Sequence, residues 1–267
     1  MAHPSIYVMI SVKKLSFSYG NLQVLKDISF DLFYGEFVGV IGPNGSGKTT
    51  LLKCLCRLLK PIGAIYIDGE ELSRIDLNTL SRKFSYISSE LDSSMDELTV
   101  FEIASSGRTP YMKSIWWESR EDERIILESI KIVGLSNLVN RKLKNLSSGE
   151  KQMARIARVL SQTPRILLVD EPTVHLDLKH QVEIMSILKN MAKNGALVVA
   201  VFHDLNLASI YSDRMIILKN GEIVSSGKPD DVLTEEVLQK VYDVDVKVVK
   251  DHEHNMLVIL PAIPARV

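Results

Sequence analysis

The stretch Gly42-Pro43-Asn44-Gly45-Ser46-Gly47-Lys48-Thr49-Thr50 constrains the fold more than any other. It follows the apolar run Phe37–Ile41 and opens a segment with helical spacing over residues 49–59, so it is a loop between a buried strand and a helix. Glycines at this spacing let the backbone wrap closely around an anion with successive N–H groups pointing inward. Lys48 adds a point charge for the β- and γ-phosphates, and Thr49 offers a hydroxyl to Mg²⁺. The positive end of the helix dipole favours the same negative charge. A plain glycine turn with a solvated lysine would account for the residues, but not for the strand, loop and helix around them. The stretch is therefore read as a phosphate-binding loop.

The rest of the composition excludes more than it assigns. The chain's 267 residues can bury a full core, and 46% hydrophobic with 24% charged residues is ordinary for a globular protein. A formal net charge of −1 argues against a broad nucleic-acid footprint. Cys54 and Cys56 lie two apart on the loop helix, about 200° around it, which disfavours a shared disulfide or metal. With only those two cysteines, reduced thiols in a cytosolic setting are expected. The first ten residues lack the pattern of a signal peptide, and the longest apolar runs, residues 196–202 and 256–263, are too short to span a bilayer.

In chain order, residues 11–19 and 28–33 read as strands around a turn at Gly20-Asn21, and residues 64–67 and 84–87 as two more. A short helix is expected at 77–82. Beyond Ser88 helical spacing replaces β-branched runs, with helices expected at 100–106, 120–133 and 149–160. Strands return at 166–169, 197–202 and 215–218, with a helix at 179–193 between the first two, and that alternation signals an α/β sheet. Asn220-Gly221 predicts a hairpin turn into a strand at 222–225. The tail carries one helix over 230–241 and strands at 245–249 and 256–260.

A second group of motifs surrounds the first. Arg165-Ile166-Leu167-Leu168-Val169-Asp170-Glu171 is an apolar strand ending in two carboxylates. At such a tip Asp170 would orient Mg²⁺ and Glu171 would polarise an attacking water. His203 ends the next apolar strand, at the same carboxyl edge, where it could reach a γ-phosphate. Leu146-Ser147-Ser148-Gly149-Glu150-Lys151-Gln152 precedes a helix that Ser147 and Ser148 can cap; on physical grounds alone an ordinary N-cap explains it.

The order of these segments, together with Thr173 to Asp177, closely resembles an ABC transporter nucleotide-binding subunit over nearly the whole chain. The resemblance implies a P-loop NTPase (RecA-like) α/β core sheet, an N-terminal antiparallel β subdomain and an inserted α-helical subdomain. The core is expected over 1–88 and 161–235, the helical subdomain over 89–160 and a C-terminal extension over 236–267. It further implies a homodimer that sandwiches two ATP. Ser147, Ser148, Gly149 and Glu150 would meet nucleotide bound to the other copy, Tyr19 would stack on adenine, and Asp177 would couple the sites. Two departures stand out. Ser148 replaces the signature's usual first glycine, and Ser89 or Glu90 stands where the family carries a Mg²⁺-sensing glutamine.

Gly107-Arg108-Thr109-Pro110-Tyr111 resembles the corresponding segment of ATPases that power import of iron–siderophore, haem or cobalamin. That branch implies integral-membrane permease subunits docked on the helical subdomain, an external solute-binding protein, and a cytoplasmic location on the inner membrane face. Zinc or manganese importers and exporters are the neighbouring readings. A soluble member acting in DNA repair or translation would carry long coiled-coil insertions or two fused cassettes, and no sustained heptads occur. An unrelated P-loop kinase or GTPase is weakened by the missing Asn-Lys-x-Asp segment. Trp116 and Trp117 are either half-buried packing residues or anchors for a partner. His252 and His254 read as a solvated loop.

Overall fold

Every residue of Phe37–Ile41 is buried, as a strand covered on both faces must be, and the main sheet is laid out around it. The computed structural model describes residues 8–88, 93–112, 119–251, 253 and 256–262. Its strands are β1 (Val8–Tyr19), β2 (Leu22–Phe33), β3 (Phe37–Ile41), β4 (Ile62–Ile67), β5 (Glu70–Glu71), β6 (Phe84–Ile87), β7 (Ile166–Asp170), β8 (Leu197–Val201), β9 (Arg214–Lys219), β10 (Glu222–Gly227), β11 (Val246–Asp251) and β12 (Met256–Pro261). Its helices are α1 (Lys48–Leu55), α2 (Leu77–Lys83), α3 (Val100–Ser106), α4 (Arg120–Ile132), α5 (Ser148–Gln162), α6 (Leu178–Lys193), α7 (Leu205–Tyr211), α8 (Pro229–Val232) and α9 (Glu235–Tyr242).

The main sheet has the order β10-β9-β3-β8-β7-β6. Strand β3 runs parallel to both β8 and β9, with Val40 level with Val201 and Ile41 level with Ile217. Antiparallel strands form a second sheet in the order β2-β1-β4-β5.

By internal contacts the chain forms two units, one of residues 1–75, 168–171 and 189–267, the other of 76–167 and 172–188. The C-terminal hairpin β11-β12 belongs to the first unit: Ile259 N–H donates to Asn206 on α7 at 2.7 Å, and the Ser209 hydroxyl donates to Leu257 O at 3.0 Å. The second unit takes in α2 and β6 as well as the expected helices, because Gln162 on α5 donates to the carbonyls of Ser81 and Phe84, both at 2.6 Å.

The expected elements have the expected type, α7 and β5 are not anticipated by the sequence reading, and several bounds differ for identifiable reasons. Strand β2 begins at Leu22 rather than residue 28. Lys14 and Asp27 adopt positive φ and break the alternation, and their N–H groups donate to Ser29 and Ser16 on the facing strand. Helix α1 stops at Leu55 instead of 59, since Arg57 turns left-handed (φ 62) and the N–H groups of Leu58 and Leu59 both fold back to Lys53 O. The expected tail helix is two, α8 and α9, separated at Leu233-Thr234 with Thr234 capping the second. Cys54 is buried and Cys56 half-buried, both free; burial pushes their thiols up to about 12 and about 11. Trp116, Trp117, His252 and His254 lie outside the described residues. Among the described residues no helix is long and apolar enough to cross a membrane.

Helices α3, α4 and α5 each start with a capping box: Thr99 with Glu102, Ser119 with Asp122, and Ser147 with Glu150. The segment at Gly107 locks them together. A Cβ on Gly107 would sit 2.1 Å from Arg158 O on α5. The buried Arg108 guanidinium donates to Asp122 at 2.8 Å and Ser161 O at 2.9 Å while stacking 4.0 Å from the Tyr111 ring centre. Removing it would take the cation from a mostly buried carboxylate, leaving that group only its bonds from Ser119, and would leave the Ser161 carbonyl without this donor. Arg108→Ala is therefore expected to destabilise the second unit by about 2–3 kcal/mol in urea unfolding, against about 0.5 kcal/mol for an ordinary surface substitution.

Candidate functional site

Parallel pairing brings the ends of three strands of the first unit to one edge. Phe202 N–H donates to Val40 O at 3.0 Å and Glu171 N–H to Val201 O at 3.2 Å, so Gly42, Glu171 and His203 follow strand ends held in register. The loop after β3 can take its path only with glycines. Gly42 has φ 151, and a Cβ there would lie 2.1 Å from Leu218 O. Gly47 has φ 101, and a Cβ there would meet Leu25 at 2.7 Å. Gly45, also at positive φ, faces open space.

The loop's charge is held ready. Lys48 is buried, and its ammonium donates to Gly42 O at 2.8 Å and Pro43 O at 3.1 Å. Burial lowers its pKa, opposed by attraction to Glu171 and Asp170. The Ser46 hydroxyl is buried without a hydrogen-bond partner among the described residues.

Asp170 ends β7 at 1% exposure, and neither carboxylate oxygen has a hydrogen-bond partner among the described residues. Burial raises its pKa; the nearby Thr49 side chain and the charges of Lys53 and Lys48 pull the other way. Glu171 has a left-handed backbone (φ 54), an uncommon conformation for a non-glycine residue that re-aims the side chain. Its Oε1 accepts from His203 Nε2 at 2.5 Å.

Tyr19 is 48% exposed at the end of β1, its ring edge-on to Phe17. Phe17 pairs with Leu25, the residue lying against Gly47, so the end of this hairpin borders the loop. Tyr242, from the tail, also reaches the loop. Burial pushes its phenol up to about 12, while the Gly42 N–H pulls it down. Nothing local in the sequence links Tyr242 to Gly42.

In the second unit, Ser147 and Ser148 are exposed and Gly149 is buried at the start of α5. The Ser147 hydroxyl accepts from Glu150 N–H at 3.2 Å, and the Glu150 carboxylate accepts from Ser147 N–H at 2.8 Å. That hydrogen bond, first among several, holds the Glu150 carboxyl below its ordinary value. Of the two serines expected to cap this helix only Ser147 does, Ser148 being its first residue; the reciprocal bond to Glu150 is not anticipated by the sequence reading, although Ser-x-x-Glu is the pattern that signals it. Asp177 accepts from the His180 backbone N–H at 2.9 Å and from His180 Nδ1 at 2.8 Å. Ser89 and Glu90 lie outside the described residues.

Residues 25–174 match the ABC transporter family. The chain belongs to the ABC transporter family. Among its relatives is the petrobactin import ATP-binding protein YclP of Bacillus subtilis, 38% identical over 242 residues, which cover 90% of this chain and 95% of that one. The ferric enterobactin transport ATP-binding protein FepC of Escherichia coli is 32% identical over 251 residues, covering 93% and 92%. A solved dimeric structure of an ATP-binding cassette in a post-hydrolysis state, bound to ADP and Pi, is 33% identical, covers 83% of this chain and 99% of its own, and superposes with a TM-score of 0.71. The cassette is thus an adenine-nucleotide-binding ATPase with the P-loop NTPase fold.

The orphaned Asp170 carboxylate gives a pH signature. With its folded pKa above the ordinary value of about 3.9, the folded state holds that proton more tightly than the unfolded state. Its ionisation therefore costs stability at neutral pH, a cost that disappears as pH falls through the folded pKa towards the ordinary one. Asp170→Asn should raise the melting temperature of the nucleotide-free cassette at pH 8, with the difference from the parent closing towards pH 4. A variant less stable than the parent at pH 8 would contradict this.

Proposed function

We propose that the cassette is the ATP-hydrolysing motor of an importer for ferric chelates of the siderophore type, working as a homodimer on a separate membrane permease. One observation carries the motor reading. Lys48, Asp170, Glu171 and His203 come from three strand ends in one unit, with the buried carboxylate unpartnered and the histidine on the glutamate. The relatives' names support the chelate class, and an external solute-binding protein completes such a system.

Gly42, Pro43, Asn44, Gly45, Ser46, Gly47, Lys48, Thr49 and Thr50 cradle the phosphates. The Lys48 ammonium exchanges the Gly42 and Pro43 carbonyls for the β- and γ-phosphates, an exchange made easier because those carbonyls already hold it at the loop. Asp170 and the Thr49 hydroxyl fit Mg²⁺, since a buried carboxylate with two free oxygens is a donor set that a hard cation satisfies. Bound there, Mg²⁺ neutralises charge on the phosphate oxygens. Glu171 polarises the attacking water. His203 orients that carboxylate and reaches the γ-phosphate. Tyr19 offers its exposed ring to adenine.

Ser147, Ser148, Gly149, Glu150 and Asp177 face nucleotide held by a second copy. The capped N-terminus of α5 presents N–H groups to the γ-phosphate. Ser89 or Glu90 takes the place of the Mg²⁺-sensing glutamine. The permease docks on the helical unit, which places the cassette on the cytoplasmic face of the membrane.

Glu171→Gln keeps the shape of the side chain and removes the charge that polarises water. Steady-state hydrolysis should fall about a thousandfold or more, and light scattering should show a dimer that retains ATP. Parent-rate hydrolysis would remove Glu171 from the reaction; a variant that binds ATP yet stays monomeric would remove the composite site. Host cells lacking the chain should lose growth on ferric chelates as sole iron source, and undiminished growth would remove the substrate class.

A further inference from the structure

Gly149 is small for a reason within its own chain. A Cβ built on it would lie 2.6 Å from Cγ, 2.6 Å from Nδ1 and 2.7 Å from Cδ2 of His180. Three adjacent ring atoms at nearly equal distance mean that the imidazole lies with its face over the Gly149 Cα, where real Cβ contacts do not occur. Gly149 and His180 belong to the same unit.

The ring is held by Asp177. Its Oδ1 accepts from His180 Nδ1 at 2.8 Å and also from the His180 backbone N–H at 2.9 Å, so one carboxylate oxygen fixes both the main chain and the ring. The His180 side chain keeps 21% of its exposure and borders a cleft of about 500 Å³ that Met153, Leu138 and Val182 also line. Space on that side leaves the ring room to swing away, and the bond to Asp177 is what keeps it over Gly149.

We propose that His180 is a positioning residue for ATP hydrolysis: its imidazole ties the Asp177 carboxylate to the Ser147–Glu150 turn, so that the two present to the second copy as one surface. The inference rests on the composite-site reading above. In that reading both segments close on nucleotide held by the other copy, and a displacement between them would spoil the alignment of one whenever the other engages. Neither resemblance nor local pattern singles out His180, which sits in the first turn of α6.

The test uses the full chain in the Glu171→Gln background, with ATP-driven dimerisation followed by light scattering and ADP affinity measured in parallel. His180→Ala should raise the ATP concentration for half-maximal dimerisation roughly tenfold, within the usual range of site-to-site coupling. ADP affinity should hold, because the phosphate loop lies in the other unit. His180→Asn keeps a donor for Asp177 without the ring and should recover part of the loss, whereas His180→Phe keeps a ring with no bond to hold it over Gly149 and should recover less. In a double-mutant cycle, Asp177→Ala should cost clearly less in the His180→Ala chain than in the parent, the remainder being Asp177's own place at the second copy and its bond from the residue-180 backbone N–H. Dimerisation of His180→Ala at the parent's ATP concentration, or additive losses in the cycle, would overturn the proposal while leaving the composite site intact. A parent that remains monomeric with ATP would overturn both.

Discussion

The chemistry depends on main-chain pairing at the carboxyl ends of β3, β8 and β7. The bonds from Phe202 N–H to Val40 O and from Glu171 N–H to Val201 O set the levels of three strand tips relative to each other. A slip of one residue would turn the side chains that follow to the opposite face. Since β3 and β8 are buried throughout, no exposed face exists on which such a slip could be tolerated. The rigidity of the candidate catalytic groups is thus a consequence of burying apolar strands.

Burial at that edge also explains the state of the charges. Asp170 and Lys48 are both desolvated, and each has its pKa moved in the direction that disfavours its charge. Lys48 is compensated by two carbonyls of its own loop, whereas Asp170 has no hydrogen-bond partner among the described residues. A buried carboxylate only partly compensated by Thr49, Lys53 and Lys48 costs stability in isolation and gains from an added cation. The positive φ of Glu171 belongs with it: backbone strain and desolvation are both stored at the candidate site.

The second unit solves a different problem, that of holding short helices with little sheet. Its three capping boxes satisfy the first N–H groups of α3, α4 and α5, and the buried Arg108 joins α4 to α5 through Asp122 and Ser161. The Gly-Arg-Thr-Pro-Tyr segment, read from sequence as a mark of one importer branch, therefore also has a packing role. The same capping device at Ser147 and Glu150 shapes the turn where Ser148 replaces a glycine. An exposed serine at the first helical position leaves that box intact.

Much of this was legible in the residues. Positive-φ glycines, apolar runs that end in acids, and Ser-x-x-Glu before a helix act within a few residues of themselves, so the phosphate loop, the Asp170-Glu171 tip and the cap of α5 follow from local physics. Bounds failed where local pattern was misleading: bulges at Lys14 and Asp27 hid half of β2, and Leu58 continued a helical spacing that the left-handed Arg57 had already ended. Tertiary structure alone decided that Tyr242 reaches Gly42, that Leu218 O makes glycine obligatory at Gly42, and that the ring of His180 covers Gly149. Those contacts join residues far apart in the chain, and only the packing of sheets and helices selects which distant side chain fills a given space.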